Sequence, residues 1–380
     1  MARLSYGRIL KLTRIVKQFV PEGKIDNIES FGGGRINSTY LITMRQESER
    51  VKYLLQNVNN TVFRDTEGLM KNVIAVTEYI REHGGRSLEF IQCSESTAPE
   101  SLNGPYIFVD EENLHWRMYH YVEAEVYPCI IESEDAYMLG EAIADFSRSL
   151  DGFDATELFE TIPGFHDTLK RFEAFLLAVA NDVISGAKRC ESVKSEIEFL
   201  LKHKDDMGIL VNALNNGEIL YGVTHNDPKI NNALFDKVTG KPICMIDLDT
   251  VMSGTPLFDI GDALRSIANT DSEDAKTTEN VSFSLEIYEA FVDGYIKGMK
   301  GCLTDKEKEL IPYSPLVIGL ELGMRFLMDH IQGNIYFKTE YDGQNLERAR
   351  VQFALVEDIE RKLKSGELQR ILKKAETDLN

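Results

Sequence analysis

Val223-Thr224-His225-Asn226-Asp227-Pro228-Lys229-Ile230-Asn231-Asn232 reads as an apolar strand end running into a polar turn, with an acid and an amide five residues apart. Downstream, Cys244-Met245-Ile246-Asp247-Leu248-Asp249 is a second hydrophobic strand, this one ending in carboxylates. Magnesium takes hard oxygen ligands, usually one or two protein carboxylates or amides completed by phosphate oxygens and water. Asn232 and Asp247 supply such donors, which leaves Asp227 to orient a hydroxyl.

Outward from this core the chain changes texture. Leu12, Ile15, Val16 and Phe19 fall at helical spacing, so the basic amino-terminal segment is expected to be an amphipathic helix packed on the adjoining strand-rich region, in preference to a targeting peptide. From Lys24 to about Val122 the pattern is strand-rich, with apolar β-prone runs at 40–42, 53–55, 88–91 and 116–122. One helix interrupts it from Asp65, a ready cap, to Glu82, with Gly84-Gly85 as the stop. Beyond Glu123 long helical periods dominate near 135–150, 165–185 and 283–300 and through most of 305–378, around a strand-like island at 221–246. The expectation is an α+β chain of two lobes, a small mixed lobe over 1–122 and a larger helical lobe over 123–380, joined by a tight crossover near 121–125.

The H-x-D-x-x-x-x-N pattern followed by an aspartate strand resembles the catalytic and metal-binding segments of the protein-kinase-like fold, and in particular the aminoglycoside phosphotransferase and choline kinase superfamily. Within it, 33–40, 225–229, 246–250, 259–262 and 325–329 are similar to the corresponding strings of bacterial N-acetylhexosamine 1-kinases. The resemblance implies transfer of the ATP γ-phosphate, with Mg2+, to the anomeric hydroxyl of N-acetylglucosamine or N-acetylgalactosamine. It implies Asp227 as the base that accepts the hydroxyl's hydrogen bond, Asn232 and Asp247 as metal ligands, and Lys229 on the transferring group. Asp249 is either a second metal ligand or a cap on backbone amides of the following turn. The run Gly32-Gly33-Gly34 lets backbone amides approach phosphate without a Cβ clash, with Asn37 and Thr39 as further candidates. Adenine is expected against His120, Tyr121 and Val122.

Position 56 departs from the pattern, because Gln56 stands where a lysine normally grips the α- and β-phosphates. An amide can hydrogen-bond phosphate but brings no charge. Glu67, the usual partner of that lysine, reads instead as a solvated helix residue. For the acceptor, the resemblance points to Arg325, a fixed fork of donors, and to Tyr336; helical spacing alone offers an Arg325–Asp329 ion pair. Asp262 and Arg265 are expected to support the catalytic loop from a turn after the metal strand, and His225 to hold it as a structural donor.

The 380 residues carry 42 Lys and Arg against 62 Asp and Glu, a net charge of −20 that repels nucleic acid and anionic membranes. Five cysteines, widely spaced and without a C-x-x-C pair, suggest neither disulfides nor zinc and fit a reducing cytoplasm. No apolar run is expected to reach the roughly 18 residues of a membrane span. Expected partners are ATP and a small sugar. The rival readings are a kinase of choline, homoserine or an aminoglycoside, and a non-catalytic nucleotide-binding protein.

Overall fold

The computed structural model describes residues 4–32, 36–47, 49–94, 106–130, 132–185 and 188–378. Helix α1 (Tyr6–Phe19) starts at Ser5, whose side chain accepts from the Arg8 N–H, and buries Leu12, Ile15, Val16 and Phe19 as their spacing predicts. Strands β1 (Lys24–Ser30), β2 (Ser38–Gln46), β3 (Glu49–Val58), β4 (Phe108–Val109) and β5 (His115–His120) form one antiparallel sheet in the order β1-β2-β3-β5-β4. Helix α2 (Thr66–Glu82) leaves the sheet after β3, with the Asp65 side chain accepting from the Gly68 N–H at 2.8 Å as its cap. The expected strand at 88–91 shrinks to a single bridge between Phe90 and Tyr119. Its chain turns away toward α1, where the Ser94 N–H donates to the Gln18 carbonyl at 2.7 Å.

The two faces of the sheet have different duties, set by the period-two alternation of β3. Tyr53 and Leu55 face α1 and share its apolar cluster. Leu54 and Val58 face the other way into the large core, which runs on through the helical part. By the same alternation Gln56 lies on the Leu54 face, toward the cleft between sheet and helices.

The helical part comprises α3 (Ser133–Ser149), α4 (Thr168–Ser185), α5 (Lys194–Lys202), α6 (Lys204–Met207), α7 (Ile209–Asn215), α8 (Pro256–Ile267), α9 (Leu285–Met299), α10 (Asp305–Leu310), α11 (Ser314–Gln332), α12 (Gln344–Lys364) and α13 (Glu367–Thr377). The island expected at 221–246 is two small ribbons: β6 (Gly222–Thr224) pairs with β9 (Met252–Gly254), and β7 (Ala233–Phe235) with β8 (Pro242–Met245). An expected sheet lobe and larger helical lobe are both present. The sequence reading missed α5–α7 and α8, and Asp262 and Arg265 therefore sit on a helix, not on a turn. Contrary to expectation, one stretch, Asp305–Gln332, is long and apolar enough to cross a membrane; its most apolar window is 83% buried within the protein, as a core helix would be.

Two glycines set how closely α3 and α9 cross. A Cβ on Gly140 would overlap the Phe291 carbonyl oxygen, and one on Gly294 the Tyr137 carbonyl oxygen. The crossing fixes the back wall of the site, because Phe146 of α3 packs edge-on against His225 with ring centroids 5.6 Å apart. Gly294→Ala raises helix propensity yet forces the helices apart, so it is expected to lower the unfolding free energy by about 1–3 kcal/mol. Chemical denaturation measures this, and an unchanged or raised stability would show that the helices can separate without cost.

Candidate active site

The loop after β6 is held by a buried carboxylate. Asp259, on α8 and fully enclosed, accepts the His225 N–H on Oδ2 at 2.8 Å and the Asn226 N–H on Oδ1 at 2.7 Å. Burial pushes its pKa up, against the pull of His225 and these two donors. His225 Nε2 lies 2.9 Å from the Ile246 carbonyl oxygen, and Nδ1 lies 3.3 Å from the Asp227 N–H. A proton on Nε2 satisfies both contacts, so His225 is a structural donor, as expected. Asn226 takes a left-handed φ of 64° and donates from Nδ2 to the Thr250 carbonyl at 2.7 Å, while Thr250 Oγ1 donates to the His225 carbonyl at 2.7 Å. The loop at 225–229 and the turn at 247–250 are thus one hydrogen-bonded unit.

Asp227 stands half-buried on this unit, ion-paired with Lys229. Protein around the Lys229 ammonium disfavours its charge, but Asp227 outweighs this and raises its pKa, so Lys229 stays cationic. Asn232 donates from Nδ2 to the Asp227 backbone carbonyl at 2.9 Å and to its carboxylate at 3.3 Å. Its Oδ1 has no donor among the described residues. The Ile246 N–H donates to the Asn232 carbonyl at 2.7 Å, which brings the end of β8, and Asp247 just beyond it, alongside.

Asp247 has a left-handed φ of 60°, opens to the cleft, and has no hydrogen bond or ion pair among the described residues. The protein around it, then repulsion from Asp249 and Asp227, raise its pKa, partly offset by Arg117. An amide oxygen and an uncompensated carboxylate, side by side and acid-crowded, are a hard-oxygen donor set that fits magnesium. No cluster of three or more acidic, His or Cys side chains that could enclose a metal occurs among the described residues. Magnesium does not need one, since it keeps most of its waters and phosphate ligands.

Asp249 neither caps the backbone amides of the following turn nor stands open as a second donor beside Asp247. It is 3% exposed, accepts from Asn37 Nδ2 at 2.6 Å and pairs with Arg117 Nη1 at 2.6 Å. Arg117 was not singled out from the sequence. It stands on β5 directly opposite Gln56, which is itself opposite Thr39 on β2. Gln56 donates to Thr39 Oγ1 and accepts from Arg117 Nε, both at 3.0 Å, so its amide is a tether within the sheet with each end engaged. Glu67 pairs with Lys71 at 3.1 Å on the helix surface, as a solvated residue would. Gly32 has a φ of 71°, and Gly33 and Gly34 lie outside the described residues. Phe31, just before them, packs edge-on against Tyr121 at 5.7 Å, which brings the end of β1 and Gly32 to the crossover. There the His120 and Tyr121 N–H groups already donate to the Glu89 and Lys52 carbonyls; the Val122 N–H has no such bond among the described residues.

On the helical side, Arg325 and Tyr336 come together. The Arg325 guanidinium carbon lies 5.9 Å from the Tyr336 ring centroid and 5.5 Å from those of Phe165 and Phe337. The i,i+4 ion pair suggested by spacing forms with the other neighbour: Arg325 reaches Glu321 at 3.6 Å. Asp329 is occupied, accepting the Ile335, Tyr336 and Phe337 N–H groups at 2.9, 2.8 and 3.0 Å and Asn345 Nδ2 at 2.8 Å. Buried Glu321 also meets His166 at 2.9 Å and Arg171 at 3.4 Å. Burial alone would raise its pKa, but His166 and the two arginines together hold it down. Asp262 pairs with Arg265, and the His166 ring lies 5.0 Å from that of Phe258 on α8, which links the arginine cluster to the helix that holds the Asp227 loop. The loop support expected of Asp262 is carried by Asp259, one helical turn earlier, whose side chain alone reaches the amides.

Asp259→Ala removes the acceptor of two buried N–H groups, each costing roughly 1–3 kcal/mol when left unpaired. Its unfolding free energy is therefore expected to drop by about 2–6 kcal/mol in urea titration. A loss under about 1 kcal/mol would mean the loop holds without this carboxylate.

Residues 27–296, well over half the chain, match the model of the phosphotransferase enzyme family. Among solved structures, choline kinase from Cryptosporidium parvum Iowa II superposes with a TM-score of 0.55 at 13% identity, covering 97% of this chain and 98% of that one. A candidate aminoglycoside phosphotransferase from Ralstonia eutropha JMP134 gives a TM-score of 0.55 at 12% identity, covering 94% of this chain and 99% of that one. At such identities the superpositions speak for the fold, a protein-kinase-like one, and the family match speaks for the chemistry. The chain belongs to the phosphotransferase enzyme family.

Proposed function

We propose that the chain is an ATP-dependent sugar 1-kinase acting on N-acetylglucosamine or N-acetylgalactosamine. The observation that supports the reading is on the acceptor side: Arg325 and Tyr336, the two residues that the resemblance to N-acetylhexosamine 1-kinases marks for the sugar, come from separate segments and meet, and Arg325 is linked through Glu321 and His166 to Phe258 on α8, the helix whose Asp259 holds the Asp227 loop. A guanidinium offers donors to ring hydroxyls or an acetamido carbonyl, and a tyrosine offers a hydroxyl and an aromatic face.

The same cluster argues against the rivals. Choline or a polycationic antibiotic would need an aromatic cage or an acidic pocket. Here Phe165, Tyr336 and Phe337 lie around the protein's own cation, Arg325, with Arg171 beside it, so these rings serve an internal guanidinium and not a cationic ligand. The only tryptophan, Trp116, is fully buried in the sheet. A non-catalytic role leaves unexplained why Asp227, Lys229, Asn232 and Asp247 converge.

In this reading Asp227 accepts a hydrogen bond from the anomeric hydroxyl and takes its proton as the phosphoryl group arrives. Lys229, already on Asp227, turns its ammonium to the transferring group. The glycine turn from Gly32 and the crossover at His120, Tyr121 and Val122 hold the nucleotide. Asn232 and Asp247, with Asp249 behind them, would hold magnesium, which neutralises phosphate charge when bound.

A panel of N-acetylglucosamine, N-acetylgalactosamine, their non-acetylated parents, homoserine, choline and kanamycin with ATP tests the assignment. Turnover is expected on the acetylated sugars, with a product that no longer reduces alkaline copper, because a 1-phosphate locks the ring. Full reducing power in the product would move the phosphate to another hydroxyl and sink the 1-kinase reading. Asp227→Asn is expected to lower kcat by about 10²-fold or more with ATP affinity little changed. Arg325→Ala should raise the sugar KM by about 10-fold or more and leave the ATP KM nearly untouched; equal effects on both would remove Arg325 from the sugar pocket.

A further inference from the structure

We propose that Arg117 is the residue that grips the α- and β-phosphates of the nucleotide, its charge carried into the cleft from β5 in place of a cation at position 56. The inference rests on the kinase reading above and names a binding residue that the sequence pattern alone does not mark.

The register of the sheet makes the substitution geometrically natural. Thr39, Gln56 and Arg117 are direct cross-strand partners on β2, β3 and β5, on the sheet face that looks toward the cleft. Hydrogen bonds of 3.0 Å at each step tie them into one row. The row ends at Asp249, beside Asp247, whose charge Arg117 feels and which Arg117 in turn stabilises. Asn37, a few residues past the glycine run, reaches the same Asp249 carboxylate. Arg117 therefore lies where Asn37, the turn from Asp247 to Asp249 and the sheet converge. Two lysines on neighbouring elements, Lys71 of α2 and Lys52 of β3, are paired nearer the surface, with Glu67 at 3.1 Å and Glu123 at 3.7 Å.

Stability alone does not account for Arg117. Its side chain is 3% exposed, and a buried ion pair is often no better for stability than apolar residues of similar volume. Nor is its fork fully used within the protein. Nε is satisfied by Gln56, and Nη1 donates to Met70 Sδ at 3.6 Å while approaching Asp249 closely but off the hydrogen-bond axis. Nη2 makes no hydrogen bond among the described residues. A planar fork held by its Nε, with both N–H groups of Nη2 spare, suits an oxygen pair on adjacent phosphates. Asp249, released in part from Arg117, would then turn toward the same ligands as Asp247.

Calorimetric titration of the full chain with ADP in the presence of magnesium, and separately with adenosine, tests the assignment. Arg117→Gln is expected to weaken ADP binding by about tenfold or more while adenosine stays within about twofold, because only ADP carries the phosphates. The exchange variant Gln56→Lys/Arg117→Gln returns a cation to β3 and keeps one near Asp249. It is expected to bind ADP within about fivefold of the wild type, and it decides the matter where Arg117→Gln alone does not fold. Unchanged ADP affinity in a folded Arg117→Gln, parallel losses for ADP and adenosine, or an exchange variant more than about tenfold weaker than the wild type would each overturn the assignment. Wild-type protein that bound neither ADP nor adenosine would overturn the kinase reading itself.

Discussion

Asp259 accepting the adjacent N–H groups of His225 and Asn226 is the contact on which the site depends. A loop that must turn sharply at a left-handed Asn226 leaves its amides pointing inward, where water cannot serve them. A carboxylate is acceptor-only and can serve two donors at once, so one buried charge fixes two successive peptide units. Everything downstream inherits that position: Asp227 and Lys229 on the loop, Asn232 bonded back to Asp227, and, through the Ile246–Asn232 bond, Asp247. The α3–α9 crossing closes the back of the loop through Phe146.

Much of this is legible in the sequence because it is written in local pattern. The α1 stripe, the Asp65 cap and the strand-to-carboxylate motifs are short-range signals, and each is where its spacing puts it. What escapes is long-range. Position 56, taken alone, is a lysine replaced by a neutral amide, although its partner lies 61 residues away on the neighbouring strand. Only the sheet register makes Arg117 and Gln56 one unit, and register is not visible in a single strand. Asp249 keeps two readings in the sequence for the same reason, since its partners, Asn37 and Arg117, come from the other lobe. Arg325 and Asp329 share a helix face, yet Asp329 is claimed by three backbone amides of the following loop and Arg325 turns to Glu321. Helical spacing says which pairs can meet and not which competitor wins.

The charge layout of the cleft is divided between its two sides. Acids gather around Asp227, Asp247 and Asp249, which repel one another. Basic groups gather around Glu321, whose buried charge is shared by His166, Arg171 and Arg325. Because Glu321 answers Arg171 and Arg325 at once, the pocket presents directed donors with their charge partly balanced. Under the proposed sugar-kinase reading, that balance suits a neutral, hydroxyl-rich acceptor better than either an anion or a cation.

Asp329 fixes residues 335–337 through their backbone N–H groups alone, leaving Ile335 and Tyr336 80% and 70% exposed. Every amino acid except proline carries that N–H. The anchoring by Asp329 is therefore indifferent to the side chains at 335 and 336, whereas Phe337 is also held by its ring against Phe326. Proline is the one residue that the anchoring carboxylate forbids at these positions, so the segment behaves as a fixed mount on which different recognition chemistries can be hung.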